Sequence, residues 1–107
     1  MIKPTAKVLS CKGNPYIMLG ANASRMLKDI LGIEHIADKS AKARIQTRED
    51  GSIIITKGRG KNIYCGRCCV KFNGLFIYRL GYMEGNVLNV AEVSVGGERA
   101  LAIGRRV

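Results

Sequence analysis

Two stretches of this chain follow a common plan, and this repetition restricts the fold more than any other feature. Residues 30–57 align with residues 79–106, with Leu31-Gly32-Ile33 on Leu80-Gly81-Tyr82 and Asp50-Gly51 on Gly96-Gly97. A repeated unit this short cannot bury its apolar face alone and must pack against its twin. The sequence therefore predicts a single domain over residues 1–107, with internal repeats at approximately 5–57 and 61–106.

The first repeat contains the pattern of a short amphipathic helix. Apolar residues recur on one face over residues 26–31, which indicates two helical turns. Asn22 or Ser24 can serve as its N-cap, and Gly32 ends it because glycine adopts the left-handed conformation without a steric clash. Two short segments precede the helix: a strand at residues 5–10 and, after a turn at 13–15, either a strand or the helix approach at 16–19.

A hairpin follows the helix in each repeat. Residues 41–48 alternate between small or apolar and polar side chains, which is typical of a half-buried strand. Asp50-Gly51 predicts a type I′ turn before a returning strand at residues 52–56. The second repeat has the same plan, with a strand at 87–95, the Gly96-Gly97 turn and a return at 99–103. Residues 75–80 fit either a helix or a strand.

The four cysteines pose the question of a zinc site. Cys65 and Cys68 form a CxxC pair, which is half of a structural zinc site, but no second pair exists. Cys11 would supply a third thiolate if its strand lay beside residue 65, and His35 a fourth ligand. Because Cys68 and Cys69 would face opposite sides of a strand, only one of them could join Cys65. Reduced cysteines acting as small apolar residues are the favoured interpretation, so no metal or other cofactor is expected.

The positive charge is concentrated in two stretches. The chain has 18 Lys and Arg against 8 Asp and Glu, and residues 1–28 and 57–71 contain no acid at all. Acid-free basic stretches favour a polyanionic partner, usually nucleic acid, over a protein that is merely basic and soluble. Each single cation could equally be a solvated surface charge. The predicted nucleic-acid-binding residues are Lys3, Lys7, Lys12, Arg25, Lys28, Lys57, Arg59, Lys61, Arg67 and Lys71.

Other function classes find less support in the sequence. No apolar run is long enough to span a bilayer and no secretory signal is recognisable, so a cytoplasmic protein without a membrane partner is expected. His35 is the only histidine, and no constellation for acid–base catalysis is visible, so the chain is not expected to be an enzyme. The aromatic side chains of Tyr64, Phe72 and Phe76 could stack bases, but core packing is favoured for all three.

Residues 5–57 resemble the swapped-hairpin domain of AbrB-type proteins, which include transition-state regulators, MazE-like antitoxins and SymE-like proteins. The resemblance lies in a basic first strand, a short helix closing on Leu31-Gly32-Ile33, an Asp-Gly turn and an Ile-rich strand. Ala37-Asp38-Lys39 stands where the family typically has Gly-Asp-Lys. The second repeat resembles the family weakly, and its Tyr64–Cys69 segment has no counterpart there.

The resemblance implies both a fold and a function. The implied fold class is β-rich α+β: a small swapped-hairpin-like β-barrel or sheet pair formed by two βαββ-like repeats in a pseudo-twofold arrangement. Pairing would take place within the chain or in a homodimer. The implied function is DNA-binding transcription regulation. Arg25, Arg59 and Arg67 are the candidates for reading bases, because arginine can form two hydrogen bonds with guanine. The alternatives are SymE-like RNA binding and a basic phage or plasmid protein that inhibits a host nuclease or another protein complex.

Overall fold

Eight antiparallel strands close into one barrel, which two short helices accompany. The structure, a computed structural model, describes residues 3–67 and 69–105. In chain order the elements are β1 (Thr5–Cys11), β2 (Asn14–Leu19), α1 (Ala21–Leu31), β3 (Lys39–Thr47), β4 (Ile53–Lys57), β5 (Lys61–Cys65), β6 (Val70–Asn73), α2 (Phe76–Arg79), β7 (Val87–Val95) and β8 (Glu98–Gly104). Around the barrel the strands follow the order β1-β2-β6-β5-β3-β4-β8-β7, and β7 pairs with β1 to close it. The predicted β-rich small barrel is confirmed.

The two halves of the chain have the same order of elements and equivalent positions in the barrel. Each half runs strand, strand, helix, strand, strand, so each unit has one strand more than the predicted βαββ. Exchanging β1–β4 with β5–β8 converts every strand pairing into another pairing of the same barrel. The β2–β6 and β4–β8 pairs join the two halves directly. Each half therefore supplies the pairing partners that the other half needs.

The barrel interior is filled by the alternate residues of its strands. Ile53 and Ile55 on β4 point into the main core, whereas Ile54 between them lies on the opposite face with Ala100 and Ala102. This is the two-residue period of a strand. From α1, Leu27, Ile30 and Leu31 join the main core. The burial of one helix face there stabilises a helix that would be marginal by itself.

The chain leaves both helices with the same pair of backbone hydrogen bonds, although Gly32 directly follows α1 whereas Leu80 separates Gly81 from α2. Gly32 has φ 74°, and its N–H and that of Ile33 donate to the carbonyl groups of residues 29 and 28. Gly81 has φ 88°, and its N–H and that of Tyr82 donate to the carbonyl groups of residues 78 and 77. The Leu-Gly anchors of the sequence alignment therefore mark one cap geometry used twice. Within the described ranges, neither helix is long and apolar enough to cross a bilayer.

The start of α1 differs from the prediction. Gly20 is the N-cap residue, and no side chain caps the helix there. The hydroxyl of Ser24 instead donates to the carbonyl of Leu19 and accepts the N–H of Val70 at 3.0 Å. Ser24 thus links the helix to β6. The prediction of Asn22 or Ser24 as the N-cap was wrong because the helix begins at Ala21, so both residues lie within it.

The two hairpin turns differ from each other. Gly96 and Gly97 both have positive φ, as a type I′ turn requires. In the turn between β3 and β4 only Gly51 has positive φ, and the N–H of Arg48 donates to the carbonyl of Ser52 across a three-residue loop. The type I′ prediction was wrong there because the Asp50 carboxylate accepts the N–H of Ser52 at 2.9 Å, which holds a longer loop.

Candidate nucleic-acid interface

Five neighbouring strands of the barrel present one continuous outer surface, which we call the basic sheet face. The registers of β1, β2, β6, β5 and β3 align one row across it: Lys7, Met18, Lys71, Tyr64 and Ser40. At about 4.8 Å between strands, this row is roughly 20 Å long. The outward residues that define the face are Lys7, Tyr16, Met18, Ser40, Lys42, Arg44, Asn62, Tyr64, Lys71 and Asn73.

The residues that define this face carry only positive charge, although the Asp38 carboxylate beside them accepts a hydrogen bond from Tyr64. Lys7, Lys42, Arg44 and Lys71 come from three different strands, β1, β3 and β6, and none of the residues that define the face is acidic. Lys12 stands at its edge, in the turn between β1 and β2, with φ 53° beside Gly13. The sequence prediction missed Lys42 and Arg44 because Glu49 and Asp50 follow them closely. Both residues are among the polar members of the alternating pattern over residues 41–48, and that pattern could have indicated that they share one exposed face.

A second basic group lies next to the face, around the linker between the two halves. Lys57 and Arg59 line a groove of about 440 Å³ together with Lys39 and Lys42. Ser40 lines both this groove and the larger one on the basic sheet face. The linker cations and the sheet cations are therefore neighbours.

Of the remaining predicted cations, some are exposed to solvent, and others form contacts within the protein. Lys3, Arg25 and Arg67 are exposed, before β1, on α1 and after β5 respectively. Lys61 is half-buried; its ammonium donates to the carbonyl of Asn73 and lies 5.2 Å from the centre of the Phe76 ring. Lys61 therefore holds the barrel to α2, and its ammonium is already engaged within the protein.

Lys28 does not belong to any exposed surface. Only 1% of it is exposed, and its ammonium donates to the carbonyl oxygens of His35, Ala37 and Gly66 at 2.8, 3.0 and 2.6 Å. A phosphate could not reach this nitrogen without breaking those bonds. The prediction that Lys28 binds nucleic acid was wrong because three backbone carbonyls, brought together only by folding, take the place of an external anion.

The larger groove lies within the basic sheet face. Its volume is about 660 Å³, and its lining combines hydroxyl, amide and ammonium groups. Residues from β1, β2, β6, β5 and β3 and from the β1–β2 turn line it: Cys11, Lys12, Asn14, Tyr16, Ser40, Asn62, Tyr64, Lys71, Phe72 and Asn73.

One tyrosine in this groove is both exposed and held in position. Tyr64 is 44% exposed, and its hydroxyl donates to Oδ1 of Asp38 at 2.7 Å. That hydrogen bond raises the pKa of Tyr64 above its ordinary value. The core-packing prediction was wrong for Tyr64. It was correct for Phe72, which is buried, and for Phe76, which packs against the core.

The described cysteines do not gather into a metal site. Cys65 is buried on β5, whose neighbours are β3 and β6, so Cys11 on β1 cannot join it. His35 is engaged with Asp29, at 2.6 Å. No group of three metal-ligating side chains forms in ranges 3–67 and 69–105, and Cys68 lies outside them. Burial raises the pKa of the Cys65 thiol, as expected for an apolar environment.

Comparisons of the chain with known protein families, with curated proteins and with solved structures find no match. The resemblance to AbrB-type proteins therefore stays a prediction. What the protein does must be inferred from the chemistry of the surface itself.

Proposed function

We propose that this protein binds nucleic acid and that the basic sheet face contacts the phosphates. The observation that supports this is the convergence of Lys7, Lys42, Arg44 and Lys71 on one outward surface without a carboxylate among its defining residues. The net charge of +10 adds a long-range attraction for a polyanion. Lysine and arginine side chains bind phosphate by releasing condensed counterions, so the affinity falls as salt rises.

Within this proposal, the protein is a DNA-binding transcription regulator of AbrB-like type, with two degenerate repeats in one chain. The equivalent strand order of the two halves and the shared caps at Gly32 and Gly81 support the repeat. Leu31 and Leu80 both pack against the main core, although Leu80 is only half-buried. A chain with approximate twofold symmetry is suited to a DNA site with the same symmetry.

A homodimer is not needed to complete this barrel. Each of the eight described strands pairs with a neighbour on both sides, and the β1–β7 pairing closes the ring within a single chain. The second half thus supplies what a second subunit would supply, and a monomer is expected to be stable.

A salt titration of binding tests the proposal. Fluorescence anisotropy with labelled duplex DNA and with single-stranded RNA, each at several salt concentrations, should give a linear decrease of log affinity with log salt. Replacing Lys7 and Lys71 by Gln should reduce that slope by about 0.9 for each duplex phosphate that the variant no longer neutralises. The matched control is Arg99→Gln, since Arg99 is exposed on β8 and pairs with Glu92.

Two results would reject the proposal. One is the absence of binding to either nucleic acid at low salt, in which case the charge serves a protein partner, as an inhibitor of a nuclease or another complex would require. The other is a slope that changes as much in Arg99→Gln as in the Lys7 and Lys71 variants.

RNA binding is a second candidate function, and one specific feature favours it. Tyr64 lies exposed in the row between Lys71 and Ser40, so an aromatic ring stands among the cations. Surfaces that recognise unpaired RNA combine positive charge with exposed aromatic rings.

A further inference from the structure

We propose that the 660 Å³ groove of the basic sheet face holds an unpaired nucleotide, with its base stacked on Tyr64. This inference rests on the proposed nucleic-acid binding and specifies the chemical class of the ligand. The volume lies within the usual range for small-molecule sites. A base in an intact duplex is covered on both faces, so a stacking site of this kind takes bases from single strands or from locally opened DNA.

The ring of Tyr64 is positioned before any ligand arrives. The Asp38 carboxylate anchors its hydroxyl at 2.7 Å. A Cβ placed on Gly66 would lie only 2.9 Å from Cε2 of Tyr64, so the ring rests directly against a glycine backbone. A side chain that is already ordered loses little conformational entropy when a base stacks on it.

Three asparagine side chains line the groove with the groups that base edges require. Asn14, Asn62 and Asn73 all contribute to its walls. Their side-chain amides make no hydrogen bond to any residue within ranges 3–67 and 69–105. Each amide carries both donors and an acceptor. Amides of this kind can pair with the donors and acceptors of an exposed base edge.

The cations of the groove are placed for the backbone of such a ligand. Lys71 is opposite Tyr64 in the β5–β6 register, and Lys12 lies at the rim in the β1–β2 turn. A nucleotide stacked on Tyr64 would thus have an ammonium group on the adjacent strand. This groove therefore combines an aromatic ring for stacking, amides for base edges and cations for phosphate. The groove around Lys57 and Arg59 differs, because its lining has cations but no aromatic ring.

The test compares single-stranded and duplex ligands in two tyrosine variants. Fluorescein-labelled octamers of uridine and of thymidine, and a labelled 16-base-pair duplex, would be titrated with wild type, Tyr64→Leu and Tyr78→Leu. Tyr78 is a matched control because it is 42% exposed but lies on α2, outside the groove. Loss of one stacked base should weaken octamer binding by Tyr64→Leu roughly 5- to 150-fold. Duplex binding should change less than about twofold, because a paired base cannot stack there.

Further variants separate stacking from folding. Tyr64→Phe keeps the ring and should retain most of the octamer affinity. Asn62→Ala removes one exposed amide and should weaken octamer binding several-fold, independently of any effect of Tyr64→Leu on folding. Tighter binding of the uridine octamer would identify RNA as the source of the nucleotide, and tighter binding of the thymidine octamer would identify opened DNA.

The outcomes distinguish a failure of the nucleotide site in the groove from a failure of the proposed nucleic-acid binding. If wild type binds neither octamers nor duplex, nucleic-acid binding itself fails. If wild type binds but Tyr64→Leu and Asn62→Ala leave octamer affinity unchanged, only the groove is rejected. Equal reductions in octamer and duplex affinity in Tyr64→Leu, or an equal reduction in Tyr78→Leu, would also reject it.

Discussion

The ammonium nitrogen of Lys28 lies 2.6 Å from the carbonyl oxygen of Gly66 and so joins α1 to the loop after β5. The same nitrogen donates to the carbonyls of His35 and Ala37, which hold the segment between α1 and β3. At the 49-residue offset of the helical anchors, the second half has Ile77, which is fully buried. One half thus uses a buried ammonium group where the other uses an aliphatic side chain.

Replacing Lys28 by Met should lower the free energy of unfolding by about 3 kcal/mol, because buried carbonyl groups lose their donor. Urea denaturation followed by circular dichroism would measure the change. Arg25→Met is the control, since Arg25 is exposed on the same helix and should change stability by no more than about 0.5 kcal/mol. Equal effects of the two substitutions would show that the Lys28 hydrogen bonds contribute nothing.

Gly81→Ala should destabilise the protein by about 1 kcal/mol through backbone conformation alone. Gly81 has φ 88°, and a Cβ there would meet no atom within 4 Å, so the cost is that of the left-handed conformation. Gly81→Asn should cost less because asparagine tolerates this conformation better. Thermal unfolding of both variants would test this, and an asparagine variant less stable than the alanine variant would contradict the explanation.

Asp50 should make stability depend on acid pH. The hydrogen bond from the Ser52 N–H lowers the pKa of Asp50 below its ordinary value of 3.8. A carboxylate with a lowered pKa in the folded state stabilises that state fully above the ordinary value, and the effect is lost as pH falls through the lowered value. The stability difference between wild type and Asp50→Asn should therefore be constant above about pH 5 and shrink below about pH 4. Denaturation curves between pH 2 and 7 would measure it, and a difference that is independent of pH would contradict the prediction.

The cysteines should differ in their reaction with iodoacetamide. Cys65 is fully buried and burial raises the pKa of its thiol, whereas Cys11 is exposed. The thiolate is the reactive form, so Cys65 should be alkylated only after unfolding and Cys11 in the native protein. Peptide mapping by mass spectrometry before and after addition of urea would show this order. Similar native rates for the two residues would mean that β5 opens readily.

Local sequence patterns predict most of the strands of this barrel. The strand predicted over residues 87–95 and the Gly96-Gly97 turn coincide with β7 and its turn, because neighbouring residues determine both features. The helix ends at Gly32 for the same reason. The turn at Asp50-Gly51 departs from prediction because the Asp50 side chain, as well as the backbone, determines its length.

The candidate site is only partly visible in the sequence. Lys7 and Lys12 are exposed and Lys71 is partly exposed, and their binding of nucleic acid stays a prediction. The sequence alone determines their charge and the periodicity of the strands. Only the tertiary structure places β3 beside β5, which brings Lys42 and Tyr64 onto one surface, and only it gathers the carbonyls that bury Lys28. The physical reason is the separation along the chain of the residues that interact. Turns and alternation depend on adjacent residues, whereas strand pairing and the desolvation of an ammonium group depend on residues distant in the chain.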